Sequence, residues 1–486
     1  MASTAISSIE REIRRSTSYE EWLSAAQDHD ERSGGAKWRA NPSSKVYDYN
    51  NIQARLDELR QLRADKDDVG LLFALNEGIH GNQGGMGKSE LYEKSLLGTK
   101  ELISDYVDEI VSALKHIHGL KDSKEINRDD KLDFFHRAQL CFGRSALMLS
   151  GAGSLGHFHH GVVRTLFTHN LLPNVISGSS AGSVFAAILG THDDTELEEL
   201  LFTEGLSDSI TKKGQGIAWG FIRPQVDSET LRNLLENVIP DITFQEAYEK
   251  TGRMISITIA PLEEHQTSRL MNAITSPNVF IRSAVMASCA VPGIFPPVML
   301  MAKNVYGEQQ PYLPNRRWVD GAVTDDLPAK RLARLYGVNH YIVSQANPLA
   351  LAMMSTDKYI PLPDVTKSIL RHSTKELLKS GEKLSRRWLR QIPNAGKAMS
   401  MFYSVMAQDY SGDVNIAPSF NFVDPQKLLG QLTEDEINEL ILDGERATWP
   451  QLERLRICTK IGSTLDSILD EHATHNIKHL YKKTAG

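Results

Sequence analysis

Gly178-Ser179-Ser180-Ala181-Gly182 matches the G-x-S-x-G pattern of a nucleophile elbow. Such a turn lifts a serine hydroxyl out between a strand and a helix, where it can attack an ester or amide carbonyl. The flanks suit that use: the apolar pair Val175-Ile176 precedes the turn, and Val184-Phe185-Ala186-Ala187-Ile188-Leu189 follows it. Ser180 is therefore the candidate nucleophile, with Gly178, Ser179, Ala181 and Gly182 shaping its turn. Small residues in this pattern also make ordinary turns. Acyl transfer further requires an oxyanion site and a base.

A candidate oxyanion site lies upstream. Ala146-Leu147-Met148-Leu149 reads as a strand and runs into Gly151-Ala152-Gly153-Ser154-Leu155-Gly156, a G-x-G-x-x-G sequence. A dinucleotide fingerprint would place an acidic residue about 20 positions on. No Asp or Glu stands between Gly151 and Asp193, so that reading fails. What remains is a loop whose backbone N–H groups open a helix and suit an anion. Beside a nucleophilic serine, that anion is the oxyanion of a tetrahedral intermediate. Only 27 positions separate Gly153 from Ser180, room for one helix, so loop and serine belong to neighbouring strands of one β-α-β unit. In α/β-hydrolases a further strand and helix intervene, and the spacing argues against that arrangement.

The base is harder to read. His157, His159 and His160 follow the loop, but neighbours on one helical turn point in different directions and no acidic or cysteine partner stands at ligand spacing. A metal site does not follow, and His159 reads as a packed residue beside the glycine loop. Trp318-Val319-Asp320-Gly321-Ala322 ends an apolar strand in a carboxylate, a placement typical of active-site acids in α/β folds. Asp-Gly is equally a favoured turn dipeptide, and taken alone the pair is a turn. Gly84-Gly85-Met86-Gly87-Lys88-Ser89 resembles the end of a phosphate-binding loop, yet Asn82 stands where that motif needs glycine and no strand precedes it. A helix–loop–helix with Ser89 as N-cap is the better account.

The elements that must position these groups are legible from pattern. With 486 residues, two or three domains are expected. Short apolar strands alternating with helices from Ala146 onward argue for a parallel sheet in an α/β fold; 254–259, 317–319 and 340–344 are its later strands. Residues before about 130 look helical, with helices expected over 47–62, 69–75 and 89–116, and a charged linker over 121–143. A net charge of -7 gives no reason to expect a nucleic-acid partner. Cys141, Cys289 and Cys458 show no metal-ligand spacing. The first residues lack the pattern of a signal peptide, and no apolar stretch is long enough to span a bilayer. A cytoplasmic protein able to touch a membrane is expected. Lys367, Arg371, Lys375, Lys379, Lys383 and Arg387 recur every four residues beside an apolar set including Leu377, Leu384 and Trp388. A basic amphipathic helix of this kind suits an anionic membrane surface, and suits a solvated helix face as well.

Residues 146 to about 345 resemble a patatin-like phospholipase domain. The glycine loop, the elbow and Asp320-Gly321-Ala322 occur in that family's order, joined by the landmark run Ala287-Ser288-Cys289-Ala290-Val291-Pro292-Gly293. Residues 92–107, 339–348 and 444–450 are similar to the triacylglycerol lipase branch. The resemblance implies a three-layer α/β/α core over 144–346, with a mostly parallel sheet, a helical N-terminal domain over 1–130 and a helical C-terminal extension over 347–486. It implies a Ser–Asp dyad, Ser180 and Asp320, that works without histidine and without metal or other cofactor. The glycine loop would supply the oxyanion hole through Gly151 to Gly153. Implied substrates are glycerolipids, triacylglycerol first, with phospholipase A or lysophospholipid acyltransferase activity as alternatives and peripheral lipid-surface contact. A non-enzymatic lipid-binding protein is the other class, against which the intact motif set speaks. A carboxylate at its usual pKa is a poor base near neutrality, so burial must raise it.

Overall fold

Among the described residues, nine strands carry the sheet architecture: β1 (Arg144–Leu149), β2 (Val175–Gly178), β3 (Met254–Pro261), β4 (Arg269–Asn272), β5 (Met301–Lys303), β6 (Gln309–Pro311), β7 (Trp318–Asp320), β8 (Val338–Ser344) and β9 (Val414–Ile416). The computed structural model describes residues 2–79, 81–202, 228–263, 266–292, 295–347, 350–351, 412–418 and 432–484. β1, β2 and β3 are buried almost throughout, as strands covered on both faces must be. They form a sheet ordered β4-β3-β2-β1-β8-β9, parallel except for β4 and for β7, which pairs with β3. β5 and β6 make a separate hairpin.

The register places the site. β2 pairs with β3 through Gly178↔Ile257, and β7 pairs with it through Ile259↔Asp320. Ile259 also pairs with Arg269 of β4. β7 therefore occupies the edge of β3 that β2 leaves, and Asp320 arrives just beyond the end of the serine strand. Alternation splits β1: Leu147 and Leu149 join the core under helices His157–Thr168, Ala181–Thr191 and Ile281–Ser288, whereas Ala146 and Met148 face helix Ala329–Tyr336. Three layers result, as expected.

A second core lies in the helical N-terminal region. Ile52, Leu56, Ile103, Tyr106, Ile110 and Leu114 pack there with Phe134 and Phe135. Helix Leu452–Thr484 joins the two cores. Its first turns put Leu452 and Leu455 into the sheet core, and later ones put Ile457, Ile461 and Leu465 into the N-terminal core.

Three local expectations need correction. The helix expected over 89–116 is confined to Glu101–Gly119; residues 89–91 form a single tight turn, and Ser89 caps nothing. Lys100 stands extended before the helix, buried, its Nζ donating to the carbonyls of Trp38 (2.6 Å) and Asn41 (2.7 Å). The 121–143 stretch is largely helix Arg128–Phe142, started by a reciprocal capping box between Asn127 and Asp130. Its charges mask a buried stripe of Phe134, Phe135, Ala138 and Phe142. Beyond 347 the chain supplies not only helices but also β9, which extends the sheet past β8. The basic segment over 367–390 lies outside the described residues.

Helix Glu434–Thr448 crosses helix His157–Thr168 with their backbones nearly touching. A Cβ on Gly161 would collide with the Ile441 carbonyl, and one on Gly444 with the Phe158 carbonyl. Because helix His157–Thr168 opens at the glycine loop, this crossing clamps the loop's support. Gly444→Val is expected to cost about 2–3 kcal/mol of stability, the upper range for overpacking, and so to lower the midpoint of urea unfolding. An unchanged midpoint would show that the crossing relaxes freely.

Candidate active site

Ser180 sits at φ 49° and ψ −123°, between β2 and helix Ala181–Thr191. A residue with a side chain is strained there by roughly 1–3 kcal/mol. Two missing side chains permit the turn. A Cβ on Gly178 would strike the Gly182 carbonyl, and one on Gly182 would strike the Leu149 carbonyl at the end of β1. Hydrogen bonds then fix the turn. Ser288 Oγ accepts the Ser180 N–H (2.9 Å) and donates to the Thr258 carbonyl (2.8 Å), and Ser183 Oγ donates to the Ser180 carbonyl (2.6 Å). Ser179 N–H donates to the Leu149 carbonyl (3.2 Å), tying the elbow to β1. Ala181 is fully buried at the head of the following helix.

Asp320 is 3% exposed and Ser180 7%. The Ser180 hydroxyl lies close enough to the Asp320 carboxyl to favour its charged form. Burial pushes Asp320 up to about 7, opposed by the Ala322 N–H, which donates to Oδ1 at 2.8 Å, and by the Ser180 hydroxyl. The rise is the one a carboxylate base needs near neutral pH. Gly321 carries the chain past β3 where a Cβ would meet the Thr258 backbone.

The glycine loop lies against this pair: a Cβ on Gly151 would stand 3.5 Å from Ser180 Cβ and 3.2 Å from Ala322 Cβ. Its residues differ in what they offer. The Gly151 N–H is already engaged, donating to Asp326 Oδ1 at 2.7 Å, which removes it from the donors expected for an oxyanion. Among the described residues, the N–H groups of Ala152 and Gly153 donate to no protein acceptor. Ser154, Leu155 and Gly156 form the tight turn that leads into helix His157–Thr168, with Ser154 and Leu155 buried.

Among the described residues, no hydrogen bond joins any of the three histidines to Ser180 or Asp320. His159 Nε2 lies 2.9 Å from the Ser150 carbonyl and Nδ1 2.7 Å from Ser344 Oγ. A carbonyl only accepts, so the ring proton sits on Nε2 and Nδ1 takes the serine hydroxyl. His159 is thus a packed residue behind the loop, as expected. His160 bonds the Leu201 carbonyl, and burial holds all three rings well below the usual imidazole pKa. Lys88 of the nucleotide-like sequence is occupied by the Val46 carbonyl (2.8 Å). Pattern reading passed over Ser288, Ser183, Asp326 and Asn347. Ser288 lies in a run read only as a family landmark, and nothing local sets Asp326 apart from the adjoining Asp325.

Fold and site together define an α/β protein with a serine–carboxylate pair under a glycine loop. A family model described as patatin-like phospholipase matches residues 147–333, and one described as a domain of unknown function (DUF3336) matches residues 2–140. Triacylglycerol lipase SDP1L of Arabidopsis thaliana is 33% identical over 474 residues, covering 93% of this chain and 57% of that protein. Triacylglycerol lipase 4 of Saccharomyces cerevisiae is 34% identical over 470 residues, covering 90% and 50%. A patatin-like phospholipase domain-containing protein of Aspergillus fumigatus is 30% identical over 487 residues, covering 94% and 68%. The chain belongs to the patatin-like phospholipase family. It spans about half the length of the two lipases.

Asp320 near 7 fixes the sign of a pH effect: its carboxylate form, able to take the serine proton, is lost as pH falls through about 7. The rate at which a fluorophosphonate probe labels Ser180 is expected to climb through about pH 7 and level above it. A rate flat from about pH 5 to about pH 9 would take Asp320 out of the proton path.

Proposed function

We propose that the protein is a serine acyl hydrolase of glycerolipids, with triacylglycerol as the leading substrate. The observation that carries this reading is Ser180 held in a strained elbow beside a buried carboxyl, Asp320, whose pKa burial raises to about 7. Ser180 Oγ attacks the ester carbonyl while its proton passes to Asp320. The tetrahedral oxyanion is held by the N–H groups of Ala152 and Gly153, each such donor typically contributing about 3 kcal/mol. Asp320 returns the proton to the departing glyceride oxygen, leaving an acyl-serine. Water, deprotonated by Asp320, then releases the fatty acid. No step calls on a metal or cofactor.

The names of the two lipase relatives support triacylglycerol over other esters. Such a substrate sits at an interface, so the reading includes peripheral contact with a membrane or lipid-droplet surface. The basic and apolar periodicity over 367–390 supports that contact. No helix among the described residues is long and apolar enough to cross a membrane.

Ser180→Ala and Asp320→Asn are each expected to cut ester hydrolysis by about 10³-fold or more with the far-UV spectrum unchanged. Turnover retained in purified Ser180→Ala would overturn the scheme. Lipid profiling of products from triacylglycerol and phosphatidylcholine emulsions tests the substrate order, with free fatty acid from triacylglycerol expected to dominate.

A further inference from the structure

A second buried carboxyl group stands at the site. Asp326, 1% exposed, lies one short helical turn past the Asp320-Gly321-Ala322 motif. It touches the machinery from three sides. Oδ1 accepts the Gly151 N–H at 2.7 Å, Oδ2 accepts from Asn347 Nδ2 at 3.0 Å, and its carbonyl accepts from Ser179 Oγ at 3.0 Å. Asn347 is itself buried and held, its N–H donating to Gln345 Oε1 at 2.9 Å. One residue therefore binds the first glycine of the oxyanion loop and the residue preceding Ser180.

We propose that Asp326 is a positioning residue of the reaction: braced by Asn347, its carboxyl holds the Gly151 N–H and so fixes where Ala152 and Gly153 present theirs beside Ser180. This rests on the hydrolase reading above. The geometry explains why a donor expected to face the substrate is turned instead into an anchor. A loop of small residues has little side-chain packing to hold it, and the two free N–H groups lie one and two residues from the anchored one. The choice of an acid is informative. A carboxyl is costly to bury even when hydrogen-bonded, and a plain loop tether could be made by a neutral carbonyl. Burial pushes Asp326 up to about 7, with the nearby Asp320 and Asp325 carboxylates adding to the rise. Transition-state donors misplaced by about 1 Å lose about 100-fold in rate without loss of substrate binding, so the effect belongs in kcat.

The test uses the full chain and a soluble p-nitrophenyl ester, with kcat expressed per Ser180 titrated to completion by a fluorophosphonate. Asp326→Ala is expected to lower that kcat roughly 10- to 100-fold with KM within about twofold. Asp326→Asn keeps an acceptor for the Gly151 N–H but sets one amide NH2 against that of Asn347, and a loss of kcat is expected. The double variant Asp326→Asn/Asn347→Asp restores a donor–acceptor pair of reversed polarity. It is expected to return kcat to within about threefold of the native protein. If Asp326→Ala does not fold, the Asn variant and the exchanged pair carry the test alone. Single variants with native kcat per titrated site, or an exchanged pair no better than Asp326→Asn, would overturn the positioning role while leaving the hydrolase reading in place. A native protein that neither hydrolyses the ester nor labels at Ser180 would remove the hydrolase reading, and the positioning role with it.

Discussion

One backbone conformation sets the terms for the rest of the molecule. Ser180 holds a positive φ that its side chain disfavours, and the neighbouring backbone comes so close that neither Gly178 nor Gly182 tolerates a Cβ. Such a turn persists only where its surroundings over-determine it. The surroundings here are the end of β1 through Leu149, the helix Ile281–Ser288 through Ser288, and the carbonyl of Asp326. Each comes from a distant part of the chain. The strained turn is thus the point where strand order, helix packing and the acid motif must all agree.

The same logic reaches outward to the terminal regions. The glycine loop is short and has few side chains to hold it, so its position is inherited from helix His157–Thr168. That helix is locked by the close crossing with Glu434–Thr448, whose own start is secured by a capping box between Thr433 and Glu436. Arg164 and Glu445 pair across the same interface at 2.6 Å. Helix Leu452–Thr484 continues from there into the N-terminal core. Residues from 434 onward thereby bear on the placement of a loop nearly 300 positions earlier. The helical flanks act as a frame around the sheet rather than as appendages.

What could be read from sequence follows from the range of the interactions involved. The elbow, the glycine loop and the strand ending at Asp320 are local patterns, each written within six residues, and the parallel sheet follows from apolar runs joined by helices. Helix Arg128–Phe142 was hidden because its charges outnumber its buried phenylalanines, although the Asn127–Asp130 box was legible. Strand β9 was invisible for a different reason: Val414–Ile416 is too short to signal a strand and gains meaning only from pairing with β8. Asp326 escaped likewise, because nothing in Asp325-Asp326-Leu327-Pro328 reveals that one acid meets a glycine 175 positions earlier. Long-range hydrogen bonds leave no periodicity.

The absence of histidine from the proposed dyad has a physical rationale in this arrangement. A general base works best with a pKa near the working pH, a requirement imidazole meets unaided and a solvated carboxylate does not. Here the nearby imidazole, His159, is spent on Ser150 and Ser344 behind the loop, and burial pushes its pKa down to about 4. The same burial acts in the opposite sense on an acid, because it disfavours whichever form is charged. It carries Asp320 up to about 7. Burial therefore removes the residue usually suited to the task and fits the one that usually is not. In the proposed dyad, the burial of the site decides which side chain is suited to take the serine proton.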